Sequence, residues 1–333
     1  MDTATHFAMG FALAGLAHLD PVVAASPGLS EAVLLATVIG SQAPDLDGFT
    51  RIFGSAAYIR NHRGLSHSIP AVFLWTIAIF GLLQALSPQL HWAHLLAWTF
   101  VAVGLHVFVD LFNSYGTQGL YPFTRRWIRL NVIFIFDPLM FGLHVLGLLL
   151  WAYGAEPGRT FLLIYLLLTF YYIWRYQAQK KACDLLRQEL GVSGTYTVIP
   201  THSWNQWTFV VKSEQHWYVG ELNHGEPIIL DTFAIKPESA VVTIAKQDQK
   251  VRSFLSFTEF AHPEVKQHDF GYEVRWIDLR YRSRSAGKSH YKLIAAVYLD
   301  KNMKVRDSFT GWLHRGEEQL AKKLNPEKEI QLN

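Results

Sequence analysis

A histidine and an aspartate stand four residues apart in an otherwise apolar stretch, in the motif His106-Val-Phe-Val-Asp110. On a helix this spacing puts both side chains on one face, where an imidazole nitrogen and a carboxylate oxygen can bind a divalent cation. The same pair could instead form a hydrogen bond that joins two helices. The spacing alone leaves both interpretations open. An ionisable group at membrane depth is costly unless it is paired or coordinated, so the pair is a candidate functional site.

A second set of polar residues lies nearer the N-terminus. Asp45 and Asp47 flank one residue in Pro-Asp-Leu-Asp-Gly, and their carboxylates lie on one side if the backbone is extended. His62 and His67 belong to His-Arg-Gly-Leu-Ser-His-Ser, where the glycine permits the turn of a short loop. His6 opens the first apolar run. Each has a simpler alternative: Asp45 could cap a helix, His62 could be a solvated loop residue, and His6 could be an interfacial polar residue.

Imidazole and carboxylate ligands without any thiolate favour Zn²⁺, Mn²⁺ or Fe²⁺ over Ca²⁺. The candidate ligands outnumber the four that one tetrahedral zinc requires, so we expect two or more metal ions, with zinc as the first choice. A two-metal site activates water near neutral pH and neutralises the oxygens of an in-line displacement. That chemistry is suited to phosphoester hydrolysis.

Three residues are candidates for catalytic roles beside the metal ligands. Arg63 has a guanidinium that matches phosphate geometry, although it could equally be a topogenic basic residue on the cytoplasmic side. Asp47 neighbours the ligand Asp45, and Asp137 in Phe-Asp-Pro opens an apolar stretch. Asn113 and Tyr115 lie about one helical turn past the His/Asp pair and could orient ligands or substrate.

Apolar helices must position these residues. Four stretches are long and apolar enough to be predicted membrane spans. They are Ile69–Ser87, Trp92–Leu111, Ile133–Tyr153 and Thr160–Trp174. The apolar stretches Phe7–Leu19 and Ala32–Ala43 predict an N-terminal helical hairpin, which either spans the bilayer or packs against the bundle.

The predicted membrane topology places the candidate ligands on the same side of the membrane. Basic residues concentrate in the loops before the first span, between the second and third spans, and after the fourth, which predicts that these loops are cytoplasmic. The candidate ligands from Asp45 onward then lie in one layer at the cytoplasmic face, and His6 joins them if the N-terminal hairpin spans the bilayer. We therefore expect an inner-membrane, multi-pass protein whose C-terminal domain is cytoplasmic.

The second half of the chain has a different composition. Of the 30 Lys and Arg residues and the 27 Asp and Glu residues, only 8 of each kind lie in residues 1–176. Short alternating runs predict strands, at 195–201, 207–212, 216–222, 228–233, 272–279 and 291–299, and 310–324 predicts a terminal helix. We expect a membrane domain over 1–176 and a small, mostly β domain over 177–333, which begins with a charged helix at 177–190.

Composition excludes several other functions. The net charge of +3 is too small to indicate nucleic-acid binding, and no nucleic-acid partner is expected. The basic run Arg275–Arg284 is interpreted as a strand with a solvated basic face near anionic lipid. The single cysteine, Cys183, excludes an internal disulfide and a cysteine-based zinc site. The N-terminus lacks a basic region and a cleavage site, so no removed signal peptide is expected.

Taken in order, the motifs resemble those of the YdjM-type inner-membrane, metal-dependent hydrolase family, and the long C-terminal extension resembles its YfhP-like bacterial members. The similarity covers about residues 1–176, and its most specific parts are Pro-Asp-x-Asp and His-Arg-Gly-x-Ser-His-Ser. That family is in turn similar to zinc-dependent phospholipase C and related zinc nucleases. The resemblance implies a set of metal ligands: His6, Asp45, His62 or His67, His106 and Asp110. The soluble relatives also use a free N-terminal amine, which is not carried over because Met1 lies several residues before the first ligand.

The sequence supports competing hypotheses. The first is a membrane-bound metal-dependent hydrolase that cleaves a phosphoester, in a lipid or lipid-linked substrate, at the cytoplasmic face. The second is a non-enzymatic membrane regulator or scaffold with a structural metal and a partner-binding C-terminal domain. A transporter ranks third, because the polar groups lie at one membrane face and not at the midplane.

Overall fold

Two compact units make up the chain in the computed structural model, which describes residues 1–283, 290–313 and 316–324. The helical unit comprises Met1–Gly48, His62–Ala182 and Pro200–Trp204. The β unit comprises Phe49–Asn61, Cys183–Ile199 and the described part of Asn205–Asn333. The predicted boundary at residue 176 falls inside a single long helix, Pro157–Leu190, which includes the charged segment predicted as a separate helix.

The helical unit is a bundle of apolar helices, and its helices carry the labels α1 to α3 and α5 to α8. They are α1 (Thr3–Leu16), α2 (Pro21–Ala25), α3 (Pro27–Gly40), α5 (Ile69–Leu86), α6 (Trp92–Asp110), α7 (Pro138–Ala152) and α8 (Pro157–Leu190). A 3-10 helix follows α3 over Ala43–Phe53 and leads into α4 (Ser55–Asn61). Together α1 and α3 form the predicted N-terminal hairpin.

Capping residues set where the helices begin. The Asp2 side chain accepts a hydrogen bond from the Thr5 backbone N–H at the start of α1. Ser68 caps α5 in the same way, and Pro70 occupies its first turn, where a missing N–H costs nothing. These caps fix the start of α1 and of α5 close to His6 and His67.

Small residues let three of these helices approach closely. A Cβ added to Gly10 of α1 would lie 2.8 Å from the Val38 Cα of α3. A Cβ added to Gly40 at the end of α3 would lie 3.1 Å from the Ala102 Cβ of α6. Because the backbones of α1, α3 and α6 pack this tightly, the polar residues near their ends meet.

Two described helices are long and apolar enough to cross a membrane, Ile69–Leu86 and Trp92–Asp110. The apolar helix Pro138–Ala152 has 15 residues and falls short of that length. The fourth predicted span lies within α8, whose apolar part runs between Arg159 and Arg175 into a charged part. The predicted count of four clear spans is therefore not confirmed.

The β unit contains two four-stranded sheets with antiparallel pairing. The first has the order β1 (Thr195–Pro200), β2 (Gln206–Lys212), β3 (His216–Asn223), β4 (Glu226–Ala234). The second has the order β5 (Ala261–His268), β6 (Gly271–Asp278), β7 (Leu293–Asp300), β8 (Val305–Trp312). Three helices complete the unit, α9 (Ala240–Ala245), α10 (Gln249–Phe257) and α11 (Gly316–Lys323). Apolar residues of both sheets, among them Trp217 and Ile294, form one buried core.

The mostly β character of the second half is confirmed, but its details differ from prediction. Strands β5 and β8 and helices α9 and α10 were not predicted. The predicted terminal helix over 310–324 overlaps the end of β8, and the helix begins only at Gly316.

Candidate metal centre

The carbonyl oxygen at the end of α3 sets the orientation of His106. The His106 Nδ1 donates to the Ser41 carbonyl oxygen at 2.7 Å, and the imidazole is fully buried. With Nδ1 protonated in a neutral ring, Nε2 carries a lone pair that points into the site. This tautomer is the one that a metal ligand needs.

Four of the predicted ligands form a first group, Asp45, His67, His106 and Asp110, whose ligand atoms all lie within 4.8 Å of one another. The Nε2 atoms of His67 and His106 are 3.3 Å apart. An oxygen of Asp45 and an oxygen of Asp110 each lie 3.4 Å from the His67 Nε2. Nitrogen and oxygen donors from three parts of the chain thus converge on one point.

His6 joins this group from α1. Its ring stacks on that of His106, with centroids 3.7 Å apart, and its Nε2 lies 3.4 Å from an Asp110 oxygen. Asn113 donates to the same Asp110 oxygen at 3.1 Å, and its own side-chain oxygen accepts from the backbone N–H of Tyr115. Asn113 therefore holds the Asp110 carboxylate in position.

A second group, Asp45, Asp47 and His62, shares Asp45 with the first. The His62 Nδ1 lies 2.6 Å from one Asp47 oxygen, while the other oxygen accepts from the Arg63 backbone N–H at 2.8 Å. Ser66 also donates to Asp47 and lies 2.9 Å from the His67 Nδ1. Asp47 thus holds the His62–His67 loop in place through its hydrogen bonds to three residues of that loop.

Two positive groups approach Asp110 from the other side. The Arg63 guanidinium lies 3.2 Å from one Asp110 oxygen and donates to the Met1 carbonyl oxygen at 2.8 Å. The Met1 amine pairs with the other Asp110 oxygen. Arg63 has a positive φ of 61°, a conformation that non-glycine residues rarely adopt and that brings its buried side chain inward.

The donor set fits divalent cations. In the tautomers in which each Nδ1 donates, to the Ser41 carbonyl oxygen and to the Ser66 hydroxyl, the two facing Nε2 atoms both carry lone pairs, which would repel each other without a cation. An oxygen of Asp45 and an oxygen of Asp110 are buried without a hydrogen-bond partner in the described chain. Unpaired buried acceptors of this kind are costly, and a coordinated cation would satisfy all of them.

The charge states at the accessible edge of the site also suit metal binding. Burial acts to raise the pKa of the Asp45 carboxyl, but the neighbouring His67, His106 and Arg63 side chains outweigh it and hold that pKa well below its usual value. Burial opposes a low pKa at Asp47 as well, and the neighbouring His62 and His67 side chains again lower it. Burial lowers the pKa of His62, and its bond to Asp47 only partly offsets this. Carboxylates and neutral imidazoles are the ligating forms.

Asp137 has a different role. It caps α7 by accepting from the Leu139 and Met140 backbone N–H groups at 3.0 and 3.2 Å, and it accepts from the Tyr171 hydroxyl at 2.5 Å. It belongs to neither ligand group in the described chain. The structure thus brings together all the other predicted site residues: His6, Asp45, Asp47, His62, Arg63, His67, His106 and Asp110.

Two contributors escaped sequence reasoning for different reasons. Ser41 acts through its backbone carbonyl, so its side-chain type carries no signal. The Met1 amine was set aside on sequence distance, but the start of α1 places it beside Asp110, which also lies near His6. Ser66, interpreted from the sequence as a hydrogen-bonding loop residue, does form hydrogen bonds from within the loop.

Family models match both halves of the chain. The model of the YdjM inner membrane protein family matches residues 1–182. The YfhP middle domain matches residues 197–233, and the YfhP C-terminal alpha/beta plait domain matches residues 240–324. A protein described as uncharacterized protein YfhP from Bacillus subtilis (strain 168) is 44% identical over 330 residues, covering 97% of this chain and 98% of that protein. No solved structure matches the chain.

Proposed function

The chain belongs to the YdjM inner membrane protein family, and from that premise we propose that it is a membrane-bound, metal-dependent hydrolase that cleaves a phosphoester. The observation that carries the proposal is the sharing of Asp45 between two ligand groups. A carboxylate that belongs to two adjacent ligand sets is suited to a pair of metal ions. We propose zinc for both positions, with manganese or iron as alternatives that the same nitrogen and oxygen donors accept.

The two groups differ in access, which suggests a division of labour. The side chains of His67, His106 and Asp110 are 0% exposed, whereas those of Asp45, His62 and Asp47 are 15%, 15% and 10% exposed. A closed ligand set is typical of a structural metal, and an accessible set leaves a position for water or substrate. We therefore assign the chemistry to the second group.

When bound, divalent metals would supply an activated water and neutralise charge on the phosphoryl oxygens. The chain's own residues would hold this arrangement in place. Asp47 fixes the imidazole of His62 through Nδ1 and the following backbone through the Arg63 N–H. Such outer contacts orient ligands and raise their basicity.

Arg63 is the residue best suited to a phosphoryl oxygen. Its Nε and Nη1 have no hydrogen-bond partner within the described residues, while Nη2 is held by the Met1 carbonyl oxygen. A purely topogenic arginine would be solvated, but this side chain is only 4% exposed. A guanidinium fixed in this way offers donors of the geometry that phosphate accepts.

The site's place in the chain supports a lipid or lipid-linked substrate. His67 lies two residues before the first residue of the apolar helix α5, and His106 and Asp110 lie at the end of the apolar helix α6, so all three lie near helix ends and not at mid-helix. We propose a multi-pass protein with this end of the bundle and the C-terminal domain on the cytoplasmic side, in keeping with the basic loops. Reporter fusions at the C-terminus test this: a periplasmic alkaline phosphatase fusion should be inactive and a fluorescent protein fusion bright.

The decisive experiment is metal analysis of the purified protein followed by a hydrolysis screen. We expect stoichiometric bound metal, phosphodiester or phospholipid turnover that a chelator removes, and recovery when the metal is restored. Full turnover by metal-free protein would refute the metal-dependent reaction. Bound metal without turnover on any phosphoester, together with unfolding on chelation, would favour the alternative of a membrane scaffold with a structural metal.

A further inference from the structure

The 3-10 helix Ala43–Phe53 continues well past its two metal-site aspartates. It has 11 residues, whereas such helices rarely exceed about three or four. Side chains three residues apart eclipse one another in this geometry. Leu46, Phe49 and Ile52 consequently form one row along the helix, which we call the apolar row, and both aspartates belong to the other two rows.

The apolar row is exposed. Leu46, Phe49 and Ile52 are 46%, 70% and 76% exposed, and the adjoining Phe53 is 77% exposed. Single exposed apolar residues are ordinary, but a continuous row of large ones marks a surface that binds something. The row begins beside Asp45, so whatever covers it lies next to the accessible ligand group.

The charge of this segment favours an anionic membrane surface. Residues 48–61 contain Arg51 and Arg60 and no acidic residue. Both arginines are exposed, and the Arg51 guanidinium lies over the Tyr58 ring at 4.5 Å. Large apolar side chains beside basic ones are the pattern of a segment that lies in the interface of a bilayer with anionic lipids.

The helix that follows the apolar row is fixed within the β unit. Gly54, with a φ of 99°, ends the 3-10 helix and turns the chain into α4. Within the β unit α4 packs against α10 and β8, where Ile59 is buried and Ser55 donates to the Thr310 carbonyl oxygen. The chain that leaves the row is therefore held in place by packing.

Within the helical unit, exposed apolar residues also lie at the start of a candidate span. Ile69, the first residue of α5, is 53% exposed, and Leu65 just before it is 61% exposed. In a protein of a membrane family such surface contacts lipid. Leu46, at the near end of the apolar row, belongs to this same unit.

We propose that the apolar row inserts into the lipid–water interface and forms the edge along which a phosphate-bearing lipid reaches the accessible ligand group. The occupant of the row is the bilayer itself. The inference rests on the membrane placement in the proposed function, and the part that concerns insertion is independent of hydrolysis.

Site-directed spin labelling tests the insertion. In a Cys183→Ser background, nitroxides are placed by Phe49→Cys and Ile52→Cys in the full chain, reconstituted into nanodiscs of phosphatidylethanolamine and phosphatidylglycerol. Leu74→Cys on α5 (67% exposed) is the lipid reference, and Val265→Cys on β5 (45% exposed) is the aqueous reference. We expect the ratio of oxygen to nickel-chelate accessibility at Phe49 and Ile52 to match Leu74 and to exceed that of Val265.

The other outcomes decide against the proposal in distinguishable ways. Labels at Phe49 and Ile52 that match Val265, while Leu74 reports lipid, would overturn the insertion and leave the membrane placement standing. A Leu74 label in water would overturn the placement itself. Dipolar broadening between labels on two copies would show that a second chain covers the row.

A kinetic test addresses the role of the row as a substrate edge. The double variant Phe49→Ser, Ile52→Ser should lower turnover of vesicle phospholipid about tenfold and leave a soluble phosphodiester unaffected, since only the lipid needs the interface. Val265→Ser is the matched control with no change expected on either substrate. Equal loss on both substrates would contradict the proposed role, and a wild-type chain inactive on both would refute the hydrolase and its substrate edge together.

Discussion

The two units use the same charged residue types in opposite ways. In the β unit, Arg280 and Asp278 are buried at 1% and 0% exposure and pair with two hydrogen bonds, at 3.0 and 2.6 Å. In the helical unit, the buried Arg63 and Asp110 form an ion pair, but Arg63 Nε and Nη1 and one Asp110 oxygen have no hydrogen-bond partner in the described chain. A buried ion pair whose hydrogen bonds are all made has a structural role, whereas a buried polar cluster with unmade hydrogen bonds indicates that the site binds something else, here a metal ion.

The rest of the basic run in the β unit follows the structural pattern. Arg275 pairs with Glu273, and Arg282 pairs with Asp231, while Arg284 lies outside the described residues. The predicted solvated basic face is therefore not what the structure has at these positions. A run of basic residues in the sequence can therefore form either a ligand-binding surface or a set of internal ion pairs, and composition alone does not tell the two apart.

The largest expected effect comes from removing a ligand of the helical unit. His106→Ala should release bound metal and lower phosphoester turnover about a thousandfold, because both ligand groups depend on the carboxylates that His106 helps to hold. Metal content is measured by mass spectrometry on purified protein and turnover on the substrate found in the screen.

A second buried histidine of the same unit provides the matched control. His144 is 1% exposed and donates to the Met140 carbonyl oxygen, far from either ligand group in sequence and outside both. His144→Ala should keep the bound metal. If both variants lost metal equally, the distinction between a ligand and a packing histidine would fail.

The next effect concerns the satisfied pair of the β unit. Asp278→Ala leaves the Arg280 guanidinium buried without its partner and should lower the free energy of unfolding by about 3 kcal/mol, with metal content unchanged. Thermal unfolding of the full chain in detergent measures it. The exposed pair Lys246–Glu238, at 38% and 41% exposure, is the control, and Lys246→Ala should cost less than about 1 kcal/mol.

How much of this could be foreseen differs between the units. In the helical unit the residue types and the side of the membrane were enough to gather His6, Asp45, His67 and His106 into one site. The Ser41 carbonyl could not be foreseen, since a backbone group that orients a ligand leaves no trace in the sequence. The Met1 amine depends on the three-dimensional return of α1 to Asp110.

In the β unit the alternation of apolar residues identified all four strands of the first sheet and the two inner strands of the second, but it missed the two edge strands of the second sheet. Strand β5 carries Pro263 and is exposed along most of its length, so it shows no period-two pattern. Strand β8, at the other edge, contains Asp307 and Gly311 among its apolar residues. Neither strand therefore shows the period-two pattern of apolar residues, β5 because most of it is exposed and β8 because its buried positions include Asp307, Ser308 and Thr310.

A smaller loss of metal affinity or turnover is expected for Asp47, which orients the candidate ligand His62. Asp47→Asn keeps the shape of the side chain and removes the charge that holds His62 and the following loop. We expect metal affinity or turnover to fall by about 10- to 100-fold, less than for the loss of His106. Chelator competition measures the affinity. A loss as large as that of His106→Ala would make Asp47 an indispensable ligand.

The smallest expected change in turnover is for Asp137, a carboxylate predicted to be catalytic whose contacts in the structure are those of a helix cap. Asp137 was predicted to act in catalysis, but its oxygens accept from two backbone N–H groups of α7 and from Tyr171. Asparagine caps helices about as well as aspartate, so Asp137→Asn should change turnover by less than about threefold and stability by less than about 1 kcal/mol. Asp137→Ala should cost about 1 kcal/mol of stability, because the cap is lost, and should leave bound metal in place. If Asp137→Asn instead abolished turnover while metal and stability were retained, the carboxylate would have a catalytic role, and satisfied hydrogen bonds would not suffice to identify structural residues in this unit.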